Sequence, residues 1–471
     1  MKAIQTQINK EKVKIPEGVI GLEIHAYLVT KEKLFCKCKA SRERGLRENI
    51  YICPICTGQP GAKPMLPNKS AVEKAVAIGL MLGCKINMVM SWQRKHYDWP
   101  DLPKGYQSTL SGKHANPIGA DGKFYGITIS SMHLEEDPAS WNPESGEVDY
   151  NRSGLPLVEI ITEPDFSTSE EVVDWLKKLL HALAYLKAVD SNAGIKVDVN
   201  VNIPGRSERV EIKNINSLDS IWRAIDFELQ RQNQEGGNKR ETRRFDDAKG
   251  KTMLMRGKEG AEDYRFISDP DLRALYFNKN FINSLSKKIP DSPEKKLILI
   301  IKKYKIDKKN AEILTKHLDI AEFFEKVAER MEPRFALPWV TIELLRLLKE
   351  HKTTLDKLDI DIQHFVSLLE MVKKQRITVL QGKQILKQFY PKSFLPSDIK
   401  EKISDEKELE HIIEKILAVH RSAVDSYQRG EENAFHFLMG EIMKATQKRA
   451  DVSITRKVLE RLLRSKSTKV L

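Results

Sequence analysis

The sequence of 471 residues has no long apolar run, and this argues against a helix that spans a membrane. Its longest apolar runs, at 75–82 and 297–301, fall far short of the roughly 18 residues that a spanning helix needs. Residues 1–18 carry charges where a signal peptide requires an apolar segment. We therefore expect a protein of the cytoplasm with no membrane partner.

Cysteine is also scarce, which excludes a scaffold held together by many disulfides. Only five are present, and four of them fall at Cys36, Cys38, Cys53 and Cys56. Two close thiolate pairs separated by a loop can close a tetrahedron around Zn²⁺ and leave no position open for water. The spacing predicts a structural zinc site. Four reduced cysteines without metal, or a redox role, are the alternatives.

Several catalytic signatures are missing. The sequence contains no phosphate-binding P-loop and no glycine-rich dinucleotide fingerprint after a strand. It also has no nucleophile elbow, no Ser/Lys constellation and no protein-kinase signature set. Any nucleotide must therefore bind through another architecture.

Positive charge is in excess, with 79 Lys and Arg against 66 Asp and Glu and a net charge of +13. Such an excess favours a polyanionic partner, with nucleic acid first, through long-range attraction and counterion release. A Lys-rich proteome would produce a similar excess without nucleic-acid binding. Charge alone therefore does not decide the partner.

Pattern and composition divide the chain into residues 1–292, 293–404 and 405–471. Alternating apolar and polar residues predict strands at 20–28 and 195–203 in the first part. Helical spacing predicts helices at 71–82, 170–189 and 218–231, and Ser167 and Glu170 have the spacing of a capping box. Since hairpin-like strand pairs dominate, we predict an α+β fold there. The other two parts read as all-helical domains.

Clustered carboxylates mark candidate sites. Glu23 and His25 lie two residues apart on the polar face of the first predicted strand, as ligands of a hard cation can. Solvated side chains are the alternative. His133 to Asp137 include three carboxylates, whose repulsion requires a cation or a basic group. Polar segments at 94–107, 149–152, 211–217 and 258–265 suit a site that holds phosphate and stacks a base. Rigid surface loops that bind no ligand are the alternative.

Taken in order, these motifs resemble one family, the B subunit of the aspartyl/glutamyl-tRNA amidotransferase. The resemblance runs through the cysteine pairs and nearly the whole chain, and is carried by GLEIH at 21–25, TGQPG at 57–61, PDLPKGYQ at 100–107, PLVEIITEPD at 156–165 and FLMGEIMKAT at 437–446. The sequence departs from the family pattern at three places, which are 108–110, 138–140 and Lys196. Lys196 lies near a position where the family usually has an arginine.

The resemblance implies a cradle-shaped catalytic domain with a mixed or antiparallel sheet, a helical domain and a helical tail that binds tRNA. It implies ATP-dependent phosphorylation of the side-chain carboxylate of misacylated Glu-tRNA(Gln) or Asp-tRNA(Asn), followed by amidation. An enzyme like the archaeal E subunit, which acts on Glu-tRNA(Gln), and a non-catalytic tRNA-binding scaffold are the alternatives.

The resemblance also implies partner chains. The ammonia would come from a glutaminase, or amidase, called the A subunit, and a small C subunit would complete a heterotrimer. Because this sequence has no nucleophile elbow and no Ser/Lys constellation, we expect the glutaminase chemistry to belong to another chain.

Residue by residue, the resemblance assigns Mg²⁺ to Glu23, His25, Glu136 and Glu259, with Glu135 alongside, and assigns Lys95 to the route towards the reaction site. The polar segments supply the candidate contacts to ATP, which are Arg94, Lys104, Tyr106, Asn151, Arg152, Lys213 and Asn214. The basic tail supplies the candidate contacts to tRNA, which are Lys444, Lys448, Arg456, Lys457, Arg461 and Arg464.

Overall fold

The computed structural model describes residues 15–43, 45–97, 99–190, 194–237, 239–257, 265–397 and 399–467. The chain divides into two units, Met1–Ser292 and Pro293–Leu471. Among the described residues, no helix is both long enough and apolar enough to cross a membrane.

A large sheet with helices packed on it forms the first unit, which confirms the predicted α+β class. Its strands are β1 (Val19–Tyr27), β2 (Lys85–Ile86), β3 (Val89–Met90), β4 (Gln93–His96), β5 (Gln107–Thr109), β6 (Gly119–Phe124), β7 (Ile127–Glu136), β8 (Ser140–Trp141), β9 (Val148–Asp149), β10 (Pro156–Thr162), β11 (Ile195–Asn202), β12 (Val210–Ile215), β13 (Glu241–Asp246), β14 (Lys251–Gly257), β15 (Arg265–Ser268) and β16 (Leu275–Tyr276). The helices of this unit are α1 (Lys69–Met81), α2 (Ser169–Leu186), α3 (Leu218–Glu235) and α4 (Lys279–Ser286).

The order of the main strands is β14-β13-β12-β11-β1-β10-β7-β5-β4-β15, and β6 pairs with both β7 and β2. Neighbouring strands are antiparallel except β12 and β13, which are parallel. The strand β1 therefore lies at the centre, between β10 and β11. This position surrounds its polar side chains with those of its neighbours.

Side-chain alternation gives the sheet one apolar and one polar face. On β1, Ile20, Leu22, Ile24 and Ala26 are fully buried, in one core with residues of α1, α2 and α3. Full burial of a side chain such as Leu22 stabilises the fold by about 1.5–3 kcal/mol. Glu23 and His25 consequently point to the other face of the sheet.

The capping box of α2 lies one residue later than the sequence predicted. Thr168, and not Ser167, accepts a hydrogen bond from the backbone N–H of Glu171, and the Glu171 carboxylate accepts from the backbone N–H of Thr168. Both Ser167 and Thr168 can cap, but the helix must place Val172 and Trp175 in the core. Packing therefore selects between two caps that are equivalent by sequence.

The second unit is all-helical in its described residues. Its helices are α5 (Pro293–Tyr304), α6 (Lys308–Thr315), α7 (Leu318–Ala328), α8 (Pro333–Pro338), α9 (Leu345–Glu350), α10 (Ile362–Lys373), α11 (Val379–Lys387), α12 (Glu406–Val419), α13 (Arg421–Gln428), α14 (Glu432–Ala445) and α15 (Val452–Ser467). A π-helical turn, Trp339–Leu344, joins α8 to α9, and a 3₁₀ turn covers Leu355–Lys357. Two separate apolar clusters, at 300–389 and 403–463, form its cores. The boundary at 404/405 stays a prediction.

Asp451 anchors the start of α15, and its removal gives a testable loss of stability. Its carboxylate accepts from the backbone N–H groups of Ser453 and Ile454 at 2.8 and 2.9 Å and pairs with Lys402 at 2.5 Å. Although burial raises the pKa of Asp451, these partners lower it below its usual value.

We expect Asp451→Ala to reduce the free energy of unfolding by about 1–2 kcal/mol at pH 7, the usual scale of a lost cap. Because the folded-state pKa is depressed, this contribution is present above pH 3.8 and is lost as the pH falls below that value. Urea titrations at several pH values measure it. A difference between wild type and variant that persists undiminished well below pH 3.8 would contradict the assignment.

Candidate functional site

Three carboxylates meet on the polar face where β1, β11 and β12 lie side by side. Glu23 is the register partner of Asp198, and Asn200 is the register partner of Glu211. Carboxylate oxygens of Glu23, Asp198 and Glu211 lie within 4.8 Å of one another. We call these three residues the acidic cluster.

The acidic cluster is electrostatically strained. Burial first, and then the charges of Glu159, Asp198 and Glu211, raise the pKa of Glu23. An amide hydrogen bond of 3.1 Å from Asn200 to Glu23 lowers it only in part. Like charges at this separation require a countercharge, which Lys213 supplies in part and which a divalent cation could complete.

Lys213 and Asn214 contact this cluster directly. The Lys213 ammonium lies 2.6 Å from Glu211 and 3.4 Å from Asp198. The backbone N–H of Asn214 donates to Asp198 at 2.7 Å, with a positive φ of 58° at Asn214. Both residues were predicted to contact ATP, and the structure places them at the acidic cluster.

A second group of charges occupies the adjoining part of the same face. His25 Nε2 lies 3.3 Å from Glu159 on β10 and 3.8 Å from Glu135 on β7. Burial alone would lower the pKa of His25, but the hydrogen bond and charge of Glu159 raise it to about 9. Burial likewise opposes ionisation of Glu159, yet His25 lowers the pKa of this carboxyl to about 2. The two residues therefore form an ion pair at neutral pH.

Glu135 differs from Glu159 although both are buried. Burial, and then the charge of Glu159, raise its pKa to about 7 despite the opposing charges of His25 and Lys95. A carboxyl group with this pKa can hold or release a proton near neutral pH. The structure thus brings His25, Glu135 and the charge of Lys95 together around Glu159.

His133 faces Glu159 across the β7–β10 pair, but both of its ring nitrogens are engaged elsewhere. Its Nδ1–H donates to the carbonyl of Leu110 at 2.9 Å, and its Nε2 lies 2.8 Å from the hydroxyl of Ser131. Burial lowers the pKa of His133. A neutral histidine with both nitrogens engaged fits a structural role.

Glu136 and Glu135 point to opposite sides of β7, because successive side chains of a strand alternate. Its carboxylate pairs with Lys104 and accepts from the backbone N–H of Ser108 at 2.9 Å. Among the described residues, neither Glu136 nor His25 joins Glu23 in a group of three or more metal-ligating atoms within 4.8 Å. Glu259, the fourth predicted ligand, lies outside the described residues.

Arg94 and Tyr106 lie beside Lys104. The Arg94 guanidinium is 4.1 Å from the centre of the Tyr106 ring and pairs with Asp269 at 3.3 Å and Asp271 at 2.5 Å. The Lys104 ammonium is 4.9 Å from the same ring. Two cations and one aromatic ring are thereby collected next to Glu136.

Arg152 and Asn151 hold the neighbouring loops. Arg152 pairs with Asp137 at 3.1 Å, and the same carboxylate accepts from the Tyr27 hydroxyl at 2.7 Å. The Asn151 amide oxygen accepts from the backbone N–H groups of residues 50 and 51, both at 2.9 Å. With Lys104 on Glu136 and Arg152 on Asp137, the structure supplies the basic partners that the carboxylates at 135–137 require.

The four cysteines come together as the sequence predicted and could bind a metal ion. The sulfur of Cys56 lies 4.0 Å from that of Cys38 and 3.9 Å from that of Cys53, and all four sulfurs lie within 4.8 Å of one another. Sulfur atoms bound to one tetrahedral zinc ion are about 3.8 Å apart. The cluster therefore fits zinc with little rearrangement.

Gly58 packs this cysteine knuckle against the loop that carries Lys104. Its φ is +68°, and a Cβ at this position would overlap the carbonyl of Pro103. Only glycine fits both the conformation and the close approach. The cysteine knuckle therefore packs closely against the loop that carries Lys104.

The predicted tRNA contacts lie on α14 and α15 and at the turn between them. Arg456, Lys457, Arg461 and Arg464 are exposed. Arg461 pairs with Glu406 at 2.7 Å and Glu410 at 3.1 Å, Arg456 lies 5.5 Å from the Phe435 ring, and Lys444 lies 3.7 Å from Glu441. Lys448 accepts at its carbonyl from the hydroxyl of Thr378. Exposed ion pairs of this kind are weak and can be exchanged for a phosphate.

Asp198, Glu159 and Glu211 were not among the predicted site residues. Asp198 and Glu211 occupy polar positions of alternating strands, with Glu211 in the polar segment 211–217, whereas Glu159 lies in an otherwise apolar strand. Glu159 interrupts the apolar strand 156–162, and the Oε2 atom of its buried side chain has no hydrogen-bond partner. Such a residue is costly in a core, so it marks a polar face that needs a ligand or counterion.

Comparisons with known proteins show which family the chain belongs to. The family model described as the GatB/GatE catalytic domain matches residues 18–283, and a second model, described as the GatB domain, matches residues 322–463. Proteins of Methanocaldococcus jannaschii and Methanopyrus kandleri, both named as the B subunit of aspartyl/glutamyl-tRNA(Asn/Gln) amidotransferase, are each 39% identical to the chain. The alignments cover 94% and 95% of this chain and 96% and 98% of the relatives. A protein of the same name from Methanothermobacter thermautotrophicus is 39% identical over 92% of the chain and 97% of its own length.

Proposed function

Since the chain belongs to the GatB/GatE family, whose curated relatives are named as the B subunit of the amidotransferase, we propose that its sheet carries the site where the aminoacyl group of a misacylated tRNA is activated and amidated. The chain is an amidotransferase subunit that acts in translation. Its substrates are Glu-tRNA(Gln), Asp-tRNA(Asn) or both. The observation that best supports this site is that the acidic cluster and the charged residues His25, Glu135 and Glu159 lie on the same polar face of the sheet.

The proposed reaction has two steps. An oxygen of the side-chain carboxylate attacks the γ-phosphorus of ATP, and the bond to ADP breaks. Ammonia then attacks the acyl carbon, loses a proton, and expels the phosphate together with the carboxylate oxygen. Activation is required because an oxide ion is a far poorer leaving group than phosphate.

The acidic cluster is the proposed site of Mg²⁺. Glu23, Asp198 and Glu211 supply the oxygen ligands that Mg²⁺ prefers, and the raised pKa of Glu23 supports the need for a cation. When bound, the ion would neutralise charge on the transferred phosphoryl group. Participation of His25, Glu136 and Glu259 as ligands stays a prediction.

Glu135 is the proposed proton acceptor for the amidation step. Ammonia must lose a proton as it attacks, and a carboxyl group with a pKa of about 7 can take it near neutral pH. Burial raises this pKa most, the charge of Glu159 raises it further, and the charge of His25 opposes the shift. Lys95, whose charge acts on both carboxyl groups, would orient the incoming ammonia.

Arg94, Lys104, Tyr106 and Arg152 remain the proposed contacts to ATP. In the structure, each of these cations already pairs with a carboxylate. Arg94 pairs with Asp269 and Asp271, Lys104 pairs with Glu136, and Arg152 pairs with Asp137. A phosphate can replace such a partner, since it accepts the same charge-assisted hydrogen bonds. Asn151, Lys213 and Asn214 would act indirectly, through the loop and the acidic cluster that they hold.

Membership of this family implies a multi-subunit complex. We propose that a glutaminase, the A subunit, supplies the ammonia and that a small C subunit is the third chain. We also propose the cytoplasm as the site of action, because misacylated tRNA is made and used there. The tail with residues 405–471 is the proposed tRNA-binding part.

The cysteine knuckle is proposed to bind one structural zinc ion. We expect Cys53→Ser to lower the stability of the first unit and to leave tRNA binding largely intact, because a lost ligand opens the tetrahedron but does not touch the basic tail. Metal analysis of protein purified without chelator gives the stoichiometry. Less than about half an equivalent of zinc, with all four thiols freely titratable in the native protein, would contradict this site.

Reconstitution tests the proposed function. The complex of this chain with its glutaminase and its small partner chain is supplied with ATP and free ammonia, which bypasses glutamine hydrolysis. We expect conversion of Glu-tRNA(Gln) to Gln-tRNA(Gln), or of Asp-tRNA(Asn) to Asn-tRNA(Asn), only when ATP is present. Product formation without ATP, or none with either tRNA, would overturn the proposal.

A further inference from the structure

Lys33 is buried beside the cysteine knuckle, where a lysine is rarely found. Its exposed fraction is 1%, the lowest of any lysine among the buried residues that the structure describes. The ammonium lies 3.5 Å from the sulfur of Cys56 and donates to the carbonyl of Tyr150 at 3.0 Å. These are the two polar contacts that the structure gives it.

A buried ammonium group is costly unless a negative charge and hydrogen-bond acceptors surround it. A carbonyl oxygen supplies an acceptor but no net charge. No carboxylate is in ion-pair contact with Lys33 among the described residues. The negative charge must therefore come from the thiolates.

The charge of the proposed metal site matches this need. Four thiolates around one Zn²⁺ carry two negative charges in excess, and a fixed ammonium beside one sulfur offsets one of them. Hydrogen bonds to ligand atoms commonly fix their orientation and tune affinity for the metal. From its position beside Cys56, Lys33 can offset thiolate charge and fix the orientation of this sulfur.

The same ammonium connects the knuckle to the turn that carries Arg152. Tyr150 begins this turn, and Ser153 at its other end donates its hydroxyl to the carbonyl of Cys56 at 2.7 Å. The backbone N–H of Leu34 donates to the carbonyl of Gly154 at 2.8 Å. The position of the turn is thus tied to the sulfur of Cys56 through Lys33.

We propose that Lys33 is a positioning residue of the cysteine site, one that compensates thiolate charge at Cys56 and couples the bound metal to the turn at 150–154. This inference rests on the proposed zinc site. It adds a fifth residue, outside the Cys-x-Cys and Cys-x-x-Cys pairs, on which metal affinity depends.

The test is zinc affinity in the full-length chain. Lys33→Met keeps the length of the side chain but removes the charge and the donor, and we expect it to bind zinc about 10–100-fold more weakly in competition with a chromophoric chelator. Lys69→Met is the matched control, because Lys69 is 86% exposed, pairs with Glu73 and lies outside the cysteine pairs. An affinity within about threefold of wild type for Lys33→Met would overturn the proposal.

Cobalt substitution separates this role from a general loss of packing. A hydrogen bond to a ligating sulfur lowers the energy of its lone pairs. We therefore expect the sulfur-to-cobalt charge-transfer band of Lys33→Met to move to longer wavelength, with no movement in Lys69→Met. A band identical to that of wild type would contradict a bond between Lys33 and the ligand.

If Lys33→Met does not fold, Lys33→Arg and Lys33→Gln carry the test, because both can donate a hydrogen bond but only the first keeps the charge. We expect Lys33→Gln to lose zinc affinity and Lys33→Arg to retain most of it, and equal affinities would overturn the proposal. Wild-type protein that binds no zinc would overturn both this inference and the zinc site. Wild type that binds zinc, with an equally tight Lys33→Met, would overturn the inference alone.

Discussion

Glu23→Gln is expected to lower the rate of amidated tRNA formation by at least about a hundredfold, the scale of losing a strong electrostatic contact in a transition state. The substitution keeps size and hydrogen bonding but removes one charge from the acidic cluster. Phosphoryl transfer would suffer because the cluster would hold a divalent cation less tightly. Binding of tRNA should barely change, since its proposed phosphate contacts lie in other parts of the chain.

The assay uses the assembled complex with saturating free ammonia and limiting Mg²⁺. Glu170→Gln is a suitable control, because Glu170 is exposed in the first turn of α2 and lies outside the site. We expect raised Mg²⁺ concentrations to restore part of the activity of Glu23→Gln. A rate close to that of wild type at limiting Mg²⁺ would remove Glu23 from the proposed metal site.

The comparison with Glu136→Gln decides which carboxylates bind the ion. We expect this variant to lose activity as well, by at least about a hundredfold if Glu136 is a ligand. Its carboxylate pairs with Lys104 in the structure, so a loss that does not depend on Mg²⁺ concentration would assign Glu136 to the ATP contacts instead. A loss that Mg²⁺ reverses would support the ligand set predicted from the sequence.

Removal of three cations from α15 is expected to have the second large effect. We expect the combined substitution of Arg456, Lys457 and Arg464 by Ala to weaken tRNA binding by at least about tenfold at physiological salt. The slope of log affinity against log salt should become shallower by roughly two to three units, because each phosphate contact contributes about 0.7 on a single strand and about 0.9 on a duplex. Glutamine hydrolysis by the partner glutaminase should be largely unaffected.

Filter binding over a range of salt concentrations measures both quantities. Arg461→Ala is the internal comparison, since Arg461 already pairs with Glu406 and Glu410 and should change the slope less than its neighbours. Deletion of residues 405–471 should weaken binding at least as strongly as the triple substitution. An unchanged affinity and salt slope in the triple variant would show that tRNA binds elsewhere.

The central strand shows how far sequence could predict this fold. Alternation alone placed Ile20, Leu22 and Ile24 in the core and Glu23 and His25 on the polar face, because strand geometry fixes the two faces once the period is known. The capping box of α2 could not be placed, since Ser167 and Thr168 are both good caps. Only packing of the helix against the sheet distinguishes them.

The candidate site was predictable in part for the same reason. Four cysteines with zinc-site spacing are local in sequence and needed no fold to be recognised. The partners of Glu23 are Asp198 and Glu211, far away along the chain, and they meet Glu23 only because β1, β11 and β12 pair in a particular register. Register between distant strands depends on the whole sheet, and a single sequence does not reveal it.

Transfer of a labelled oxygen tests the central claim most directly. Misacylated Glu-tRNA(Gln) or Asp-tRNA(Asn) is prepared with ¹⁸O at both oxygens of the side-chain carboxylate and converted by the complex with ATP and ammonia. If the carboxylate is phosphorylated before amidation, the released phosphate must carry one ¹⁸O atom for each amide formed, and mass spectrometry measures this ratio. Amidated tRNA formed together with unlabelled phosphate would contradict the account.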